Sequence, residues 1–135
     1  MKILILCTGN SCRSQMAEGL FRHYLPEGSE VYSAGIEAHG VNPNAIIAMA
    51  EIGIDLGSHT SNKIDDLPTQ TYDYVVTVCD NAAENCPILP GNHKTIHHSF
   101  PDPAKATGTD AEIKQQFASV RNQIEEFVKD FVSDL

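Results

Sequence analysis

The segment Cys7-Thr8-Gly9-Asn10-Ser11-Cys12-Arg13-Ser14 combines a thiol, a run of small polar residues and a guanidinium within one tight stretch. It follows the apolar run Ile3-Leu4-Ile5-Leu6 and opens into a helix-like pattern from Gln15 to Tyr24. A loop placed between a strand and a helix can turn successive N–H groups inward, at a helix N-terminus whose partial positive charge adds to theirs. The product is a cradle for a tetrahedral oxyanion, formed by Thr8, Gly9, Asn10, Ser11, Cys12, Arg13 and Ser14. Gly9 and Asn10 tolerate the left-handed φ that such a nest requires, and Arg13 offers a planar fork able to hold two anion oxygens. Cys7 lies under the anion. The same donors favour its thiolate and make it a nucleophile, and the Ser14 hydroxyl is expected to bond to the sulfur. Cys12 projects from another position of the loop and is expected to fill space rather than react.

A nucleophile under an oxyanion has two outcomes, set by the central atom. A phosphorus thioester can only be hydrolysed. With arsenic(V), a second thiol can attack the Cys7 sulfur, so that arsenic leaves as arsenite and two thiols become a disulfide. Cys79 is placed by sequence for that attack, and Cys86 can then attack Cys79 and carry the oxidising equivalent away. An intact helix over those seven steps separates the Cα atoms by about 10 Å, whereas a disulfide tolerates about 7 Å. A segment 79–86 that is helical when reduced must therefore unwind on oxidation. Asp102, between Pro101 and Pro103, is a candidate acid for the leaving oxygen. His93, His97 and His98 lack partners at ligand spacing, and strand alternation sends His97 and His98 to opposite faces, so no zinc is expected.

The elements that must position these groups are legible as alternating periods. Lys2–Leu6, Glu30–Ala34, Tyr72–Val78 and Lys94–His98 read as strands. Helices are expected from about Ser14 to Tyr24, from Pro43 with Asn42 as N-cap to a stop at Gly53, and from a capping box at Thr109 and Glu112 onward. The last helix carries Ile113, Phe117, Val120, Ile124, Phe127, Val128 and Phe131 on one face. A short turn is expected around Ile64 to Leu67, closed by Pro68. This order predicts an α/β three-layer sandwich with a four-stranded parallel sheet and right-handed crossovers, in one domain over residues 1–135. Ligands of such sheets bind beyond the carboxyl ends of the strands, where Cys7, Cys79 and Asp102 all fall.

The chain has 135 residues, 41% of them hydrophobic, and a net charge of −9. That field repels nucleic acid and anionic membrane, so an anionic substrate must be held locally. No apolar run approaches the roughly 18 residues of a membrane span, and Met1 to Cys7 lacks the charged and apolar regions of a leader. A cytoplasmic monomer is expected, in which four cysteines point to catalysis or redox exchange before structural disulfides.

Together these residues resemble the thioredoxin-coupled arsenate reductases, which share the low-molecular-weight protein tyrosine phosphatase fold. The resemblance covers nearly the whole chain. It is carried by Cys7 through Gly19, by Val31-Tyr32-Ser33-Ala34-Gly35 and Gly40-Val41-Asn42-Pro43, and by Cys79 through Cys86-Pro87. It implies Cys7 as nucleophile, Arg13 in the anion-binding signature, Cys79 and Cys86 as the disulfide shuttle, and Asp102 as acid. The implied substrate is arsenate and the implied reductant thioredoxin, with no tightly bound cofactor. Some members of the family hold potassium at positions matching Asn10, Glu18, Ser33 and an Asp that this chain replaces with Asn62, which implies a weakened site. Ala104 stands where tyrosine phosphatases place an aromatic residue, which favours a small inorganic substrate. The alternatives are a low-molecular-weight tyrosine phosphatase, which the cysteine pair argues against, and a phosphoryl-carrier module, which Arg13 argues against.

Overall fold

The computed structural model describes residues 1–67, 71–80, 82 and 91–135. Strand β1 (Lys2–Cys7) is wholly buried from Ile3 to Leu6, as expected of a strand covered on both faces. It lies between β2 (Glu30–Gly35) and β3 (Tyr74–Thr77), with β4 (Lys94–His97) beyond β3. All three pairings are parallel, and the order β2-β1-β3-β4 places the topological switch between β1 and β3. The crevice beyond the carboxyl ends of β1 and β3 is therefore the expected ligand site. Edge strand β4 is largely exposed and carries Lys94 and His97, which discourage further strand pairing.

Helix α1 (Arg13–Tyr24) buries Met16, Leu20 and Phe21. Helix α2 (Pro43–Ala50) starts as expected, with the Asn42 side chain accepting from Asn44 N–H and Pro43 at the first helical position. It runs out through a turn to Gly53, whose φ of 81° is left-handed. The C-terminal helix α3 (Asp110–Ser133) opens with the capping box of Thr109 and Glu112. Phe117, Val120, Ile124 and Val128 are buried on its inner face, with Ile113, Phe127 and Phe131 packed at the margin of the core. Short 3-10 turns occupy Ile64–Asp66 and Pro103–Lys105.

Strand β3 is shorter than the expected Tyr72–Val78, because pairing with β1 stops at Thr77. Val78 N–H still reaches the Leu6 carbonyl at 3.0 Å, and the Val78 carbonyl accepts from Phe100 N–H at 3.1 Å. Asp80 and Ala82 are helical. Cys86, Pro68 and the proposed unwinding of the 79–86 segment lie outside the described residues. No helix among the described residues is long and apolar enough to cross a membrane.

Candidate active site

The loop after β1 is held open by a complete disposal of its carbonyl groups. The Cys7, Thr8 and Gly9 oxygens accept from Ile36, Glu37 and His39 N–H at 3.3, 2.9 and 2.9 Å. The Asn10 oxygen accepts from Ser61 Oγ at 2.8 Å and Gln15 Nε2 at 3.2 Å. The Ser11 oxygen takes Asn42 N–H at 3.0 Å, and the Cys12 oxygen begins α1 by taking Met16 N–H at 2.9 Å. With the carbonyls from Cys7 to Cys12 all satisfied, the loop can present N–H groups to an anion at the start of α1. Cys12 is the N-cap of that helix and makes no side-chain cap bond, so the helix terminus is open to an anion.

Asn10 adopts the expected left-handed conformation at φ 47°. Its side-chain oxygen is a hub that accepts from Ser14 Oγ at 3.0 Å, Gln15 Nε2 at 2.8 Å and Ser33 Oγ at 3.1 Å. Two expectations are corrected here. Ser14 donates to Asn10 rather than to the Cys7 sulfur, because its hydroxyl points back over the first turn of α1. Gly9 does not have a left-handed φ; a Cβ there would fall 2.5 Å from His39 Nδ1, so a side chain at this position would have to push the exposed His39 ring aside.

Arg13 is fixed by Nη1 donating to the Phe100 carbonyl at 3.1 Å and by Nη2 lying 3.6 Å from Asp102 Oδ2. Its Nε is buried with no hydrogen-bond acceptor among the described residues. A buried charged donor left in that state is costly, and an anion oxygen in the cradle would satisfy it. Asp102 Oδ1 accepts from Ala104 N–H at 3.0 Å, which holds its carboxylate at the rim. The hollow has a volume of about 150 Å³ and is lined by Cys7, Gly9, Arg13, His39, Asp102 and Ala104 among others. That is roughly the volume of five waters, enough for a four-oxygen anion. Larger hollows of 330 Å³ behind the loop and 630 Å³ at the amino edge of the sheet offer no thiol.

Cys7 and Cys79, delivered by adjacent strands, approach to 4.1 Å. Both are free thiols, 3% exposed. Thr8 Oγ1 lies 3.2 Å from the Cys79 sulfur. Hydrogen bonds from Cys7, the Thr8 hydroxyl and Ala82 N–H, with the charge of Arg13, outweigh burial and lower the Cys79 thiol to about 5. The bond to Cys79 and burial push Cys7 the other way, against Arg13 and Thr8 N–H. The two thiols act as a pair that sheds one proton readily and keeps the other. The activated thiolate expected at Cys7 falls instead on Cys79, because Cys7 keeps its proton and donates the hydrogen bond between the two sulfurs. Burial raises the Cys12 thiol, in keeping with a space-filling role.

A family model for low molecular weight phosphotyrosine protein phosphatase matches residues 2–135. The chain belongs to this family. Within it, the chain is 56% identical to an arsenate reductase of Halalkalibacterium halodurans over 129 residues, 96% of this chain and 93% of that protein. It is 52% identical to an arsenate reductase of Bacillus subtilis over the same shares. Among solved structures, an arsenate reductase in oxidized state superposes with a TM-score of 0.83 at 30% identity, covering 98% of this chain and 97% of that one. The tyrosine phosphatase Wzb from Escherichia coli K30, in complex with sulphate, gives 0.82 at 27% identity, covering 98% and 96%. The fold of this family member is accordingly that of the low-molecular-weight tyrosine phosphatases.

Behind the loop, Ser33 Oγ lies 2.5 Å from Glu18 Oε1, and the Asn62 carbonyl oxygen accepts from Asn10 Nδ2 at 3.2 Å. Glu18, Ser33 and Asn62 also line the 330 Å³ hollow. These are hard oxygen donors of the type that suits an alkali cation. Glu18 Oε2, however, is shared with Arg22 Nε at 3.0 Å and His59 Nδ1 at 3.3 Å, which draws off part of its charge. Ser61 and His59 were not singled out in the sequence, and Gln15 was given no role of its own there. Their roles depend on partners 5 to 52 positions away in the chain.

Proposed function

We propose that this chain reduces arsenate to arsenite through a Cys7–Cys79–Cys86 relay that thioredoxin regenerates. The observation that carries the reading is Cys79 at 4.1 Å from Cys7 with its thiol lowered to about 5. Hydrolysis of a phosphate ester has no use for a second activated sulfur beside the nucleophile. The arsenate reductases at 56% and 52% identity give the substrate its name.

Cys7 passes its proton to the neighbouring Cys79 thiolate as it attacks arsenic, one oxygen leaves as water with a proton from Asp102 or from the anion itself, and Cys79 then gives up its proton to solvent. Inward N–H groups and Arg13 Nε hold the remaining oxygens. The Cys79 thiolate then attacks the Cys7 sulfur. The S–As bond breaks, its electron pair stays on arsenic, and arsenite departs from a Cys7–Cys79 disulfide. Cys86 attacks Cys79 and frees Cys7, and a dithiol reduces the last disulfide. We also assign Asn10, Glu18, Ser33 and Asn62 as the residues that would hold potassium. Its positive charge would steady Asn10 and so the loop.

The test is arsenite formation from arsenate with thioredoxin, thioredoxin reductase and NADPH, with aryl phosphate hydrolysis measured in parallel. Cys7→Ser should abolish both activities, since the other thiol lining the hollow, Cys12, is the N-cap of α1 and is raised by burial. Cys79→Ser should end arsenite release and leave ester hydrolysis largely intact. Multiple turnovers by both Cys79→Ser and Cys86→Ser would refute the relay and leave a tyrosine phosphatase.

A further inference from the structure

The redox role of Cys79 depends on where its sulfur sits, and the backbone pairing that fixes it ends at Val78. One residue beyond Cys79, the Asp80 carboxylate meets a second anchor. His97 Nε2 lies 2.9 Å from Asp80 Oδ1, and His97 Nδ1 lies 2.7 Å from Thr77 Oγ1. Thr77 and His97 are register partners across β3 and β4. One neutral tautomer satisfies the whole chain, with Nε2–H donating to Asp80 and the Thr77 hydroxyl donating to Nδ1. The order hydroxyl, imidazole, carboxylate is that of a hydrolytic relay, but Thr77 is 1% exposed and no substrate can reach it.

We propose that Thr77, His97 and Asp80 form a tether that positions Cys79 for attack on the Cys7 sulfur, a role that rests on the reductase reading above. Cys79 is bracketed by Val78, pinned to β1 and to Phe100, and by Asp80, pinned through His97 to the sheet. Displacement of a reacting atom by about 1 Å can cost a hundredfold in rate, so a small loosening is readable. The two ends of the tether differ. Its Thr77 end is buried, whereas the Asp80 side chain is 75% exposed and the ion pair correspondingly weak. The exposed end can give way once Cys79 must turn to a new thiol. His97 and Asp80 are positioning residues, since neither lines the oxyanion hollow.

The full chain carrying Cys86→Ser is oxidised with diamide, which takes two electrons and two protons from Cys7 and Cys79 and becomes the hydrazine. Closure of the Cys7–Cys79 disulfide is followed by mass spectrometry. Asp80→Ala should slow closure about fivefold and His97→Ala about tenfold, as loss of one or more hydrogen bonds implies. Asp80→Asn keeps the acceptor oxygen and should stay within about twofold. Aryl phosphate hydrolysis should be unchanged in all three. Equal closure rates in wild type and Asp80→Ala would overturn the tether, as would an Asp80→Asn variant as slow as Asp80→Ala. A parallel fall in ester hydrolysis would also overturn it, because the effect would then be on the loop. If His97→Ala does not fold, the exposed Asp80 pair of variants decides alone. Single-turnover arsenite release should fall by the same factors. A wild-type protein that closes the disulfide in this pattern but releases no arsenite would sink the reductase reading and leave the tether standing.

Discussion

Arg13 does two things with one guanidinium: it ties the loop to the Phe100 carbonyl and faces Asp102, and it keeps a buried Nε in reserve beside the hollow it lines. A lysine keeps the charge but cannot make these contacts together. Arg13→Lys should lower turnover by more than about tenfold and weaken phosphate binding measured by calorimetry. At Cys79 the folded-state thiol sits near 5 against an ordinary value of 9.0. The unfolded chain therefore binds more protons between those values, and stability gained from this group is full above about 9 and is lost as pH falls toward 5. Denaturation midpoints of wild type should rise relative to the Cys7→Ser/Cys79→Ser double variant across that window. A constant difference between the two proteins would contradict the lowered thiol.

At the scale of elements, the end of β2 is as much a part of the site as the loop itself. A Cβ at Gly35 would lie 2.4 Å from the Glu37 oxygen, 2.6 Å from the Thr8 oxygen and 2.8 Å from Asn10 nitrogen, all of them backbone atoms that cannot step aside. Gly35→Ala should cost about 1–3 kcal/mol by overpacking and should also spoil phosphate binding, because the strain falls on the loop. Gly28 is the useful contrast. Its φ is 91° but nothing lies within 4 Å, so Gly28→Ala should cost about 1–2 kcal/mol of backbone strain and leave binding intact. Equal binding losses in the two variants, measured by calorimetry, would show that close approach at Gly35 is not what shapes the cradle.

Over the whole molecule, α3 is docked by apolar packing and by one buried cation. Arg121 Nη1 donates to the Ala48 carbonyl at 2.8 Å and to Glu51 Oε1 at 3.0 Å, at the C-terminal end of α2 where a positive charge is favoured. Arg121→Met should lower unfolding free energy by about 1–3 kcal/mol without altering oxyanion affinity. The net charge of −9 gives no long-range attraction for an arsenate dianion, so affinity must come from the loop and from whatever steadies it. That makes the cation position a sensitive point. Asn62→Asp adds a formal charge to the lining of the hollow that it shares with Glu18 and should increase the thermal shift produced by potassium over sodium. A strong, saturable potassium effect already present in wild type would show that the neutral side chain at 62 does not weaken the site.

Local periodicity settled much of this protein from sequence. The all-apolar run before Cys7, the Asn42-Pro43 start and the Thr109 to Glu112 box each specify an element through contacts within a few residues, and each appears where those rules put it. Alternation of strands and helices then fixed which sheet edge receives Cys7, Cys79 and Asp102. Register decided the rest. Only the packed sheet sets β2 so close to the loop that Gly35 is obligatory and lays His39 over Gly9. The Thr77, His97 and Asp80 chain exists because β3 and β4 pair in one register, which brings side chains 17 and 20 positions apart within hydrogen-bond reach. Composition and spacing carry no trace of such pairings, since they arise from the strand alignment that burial of the whole core selects.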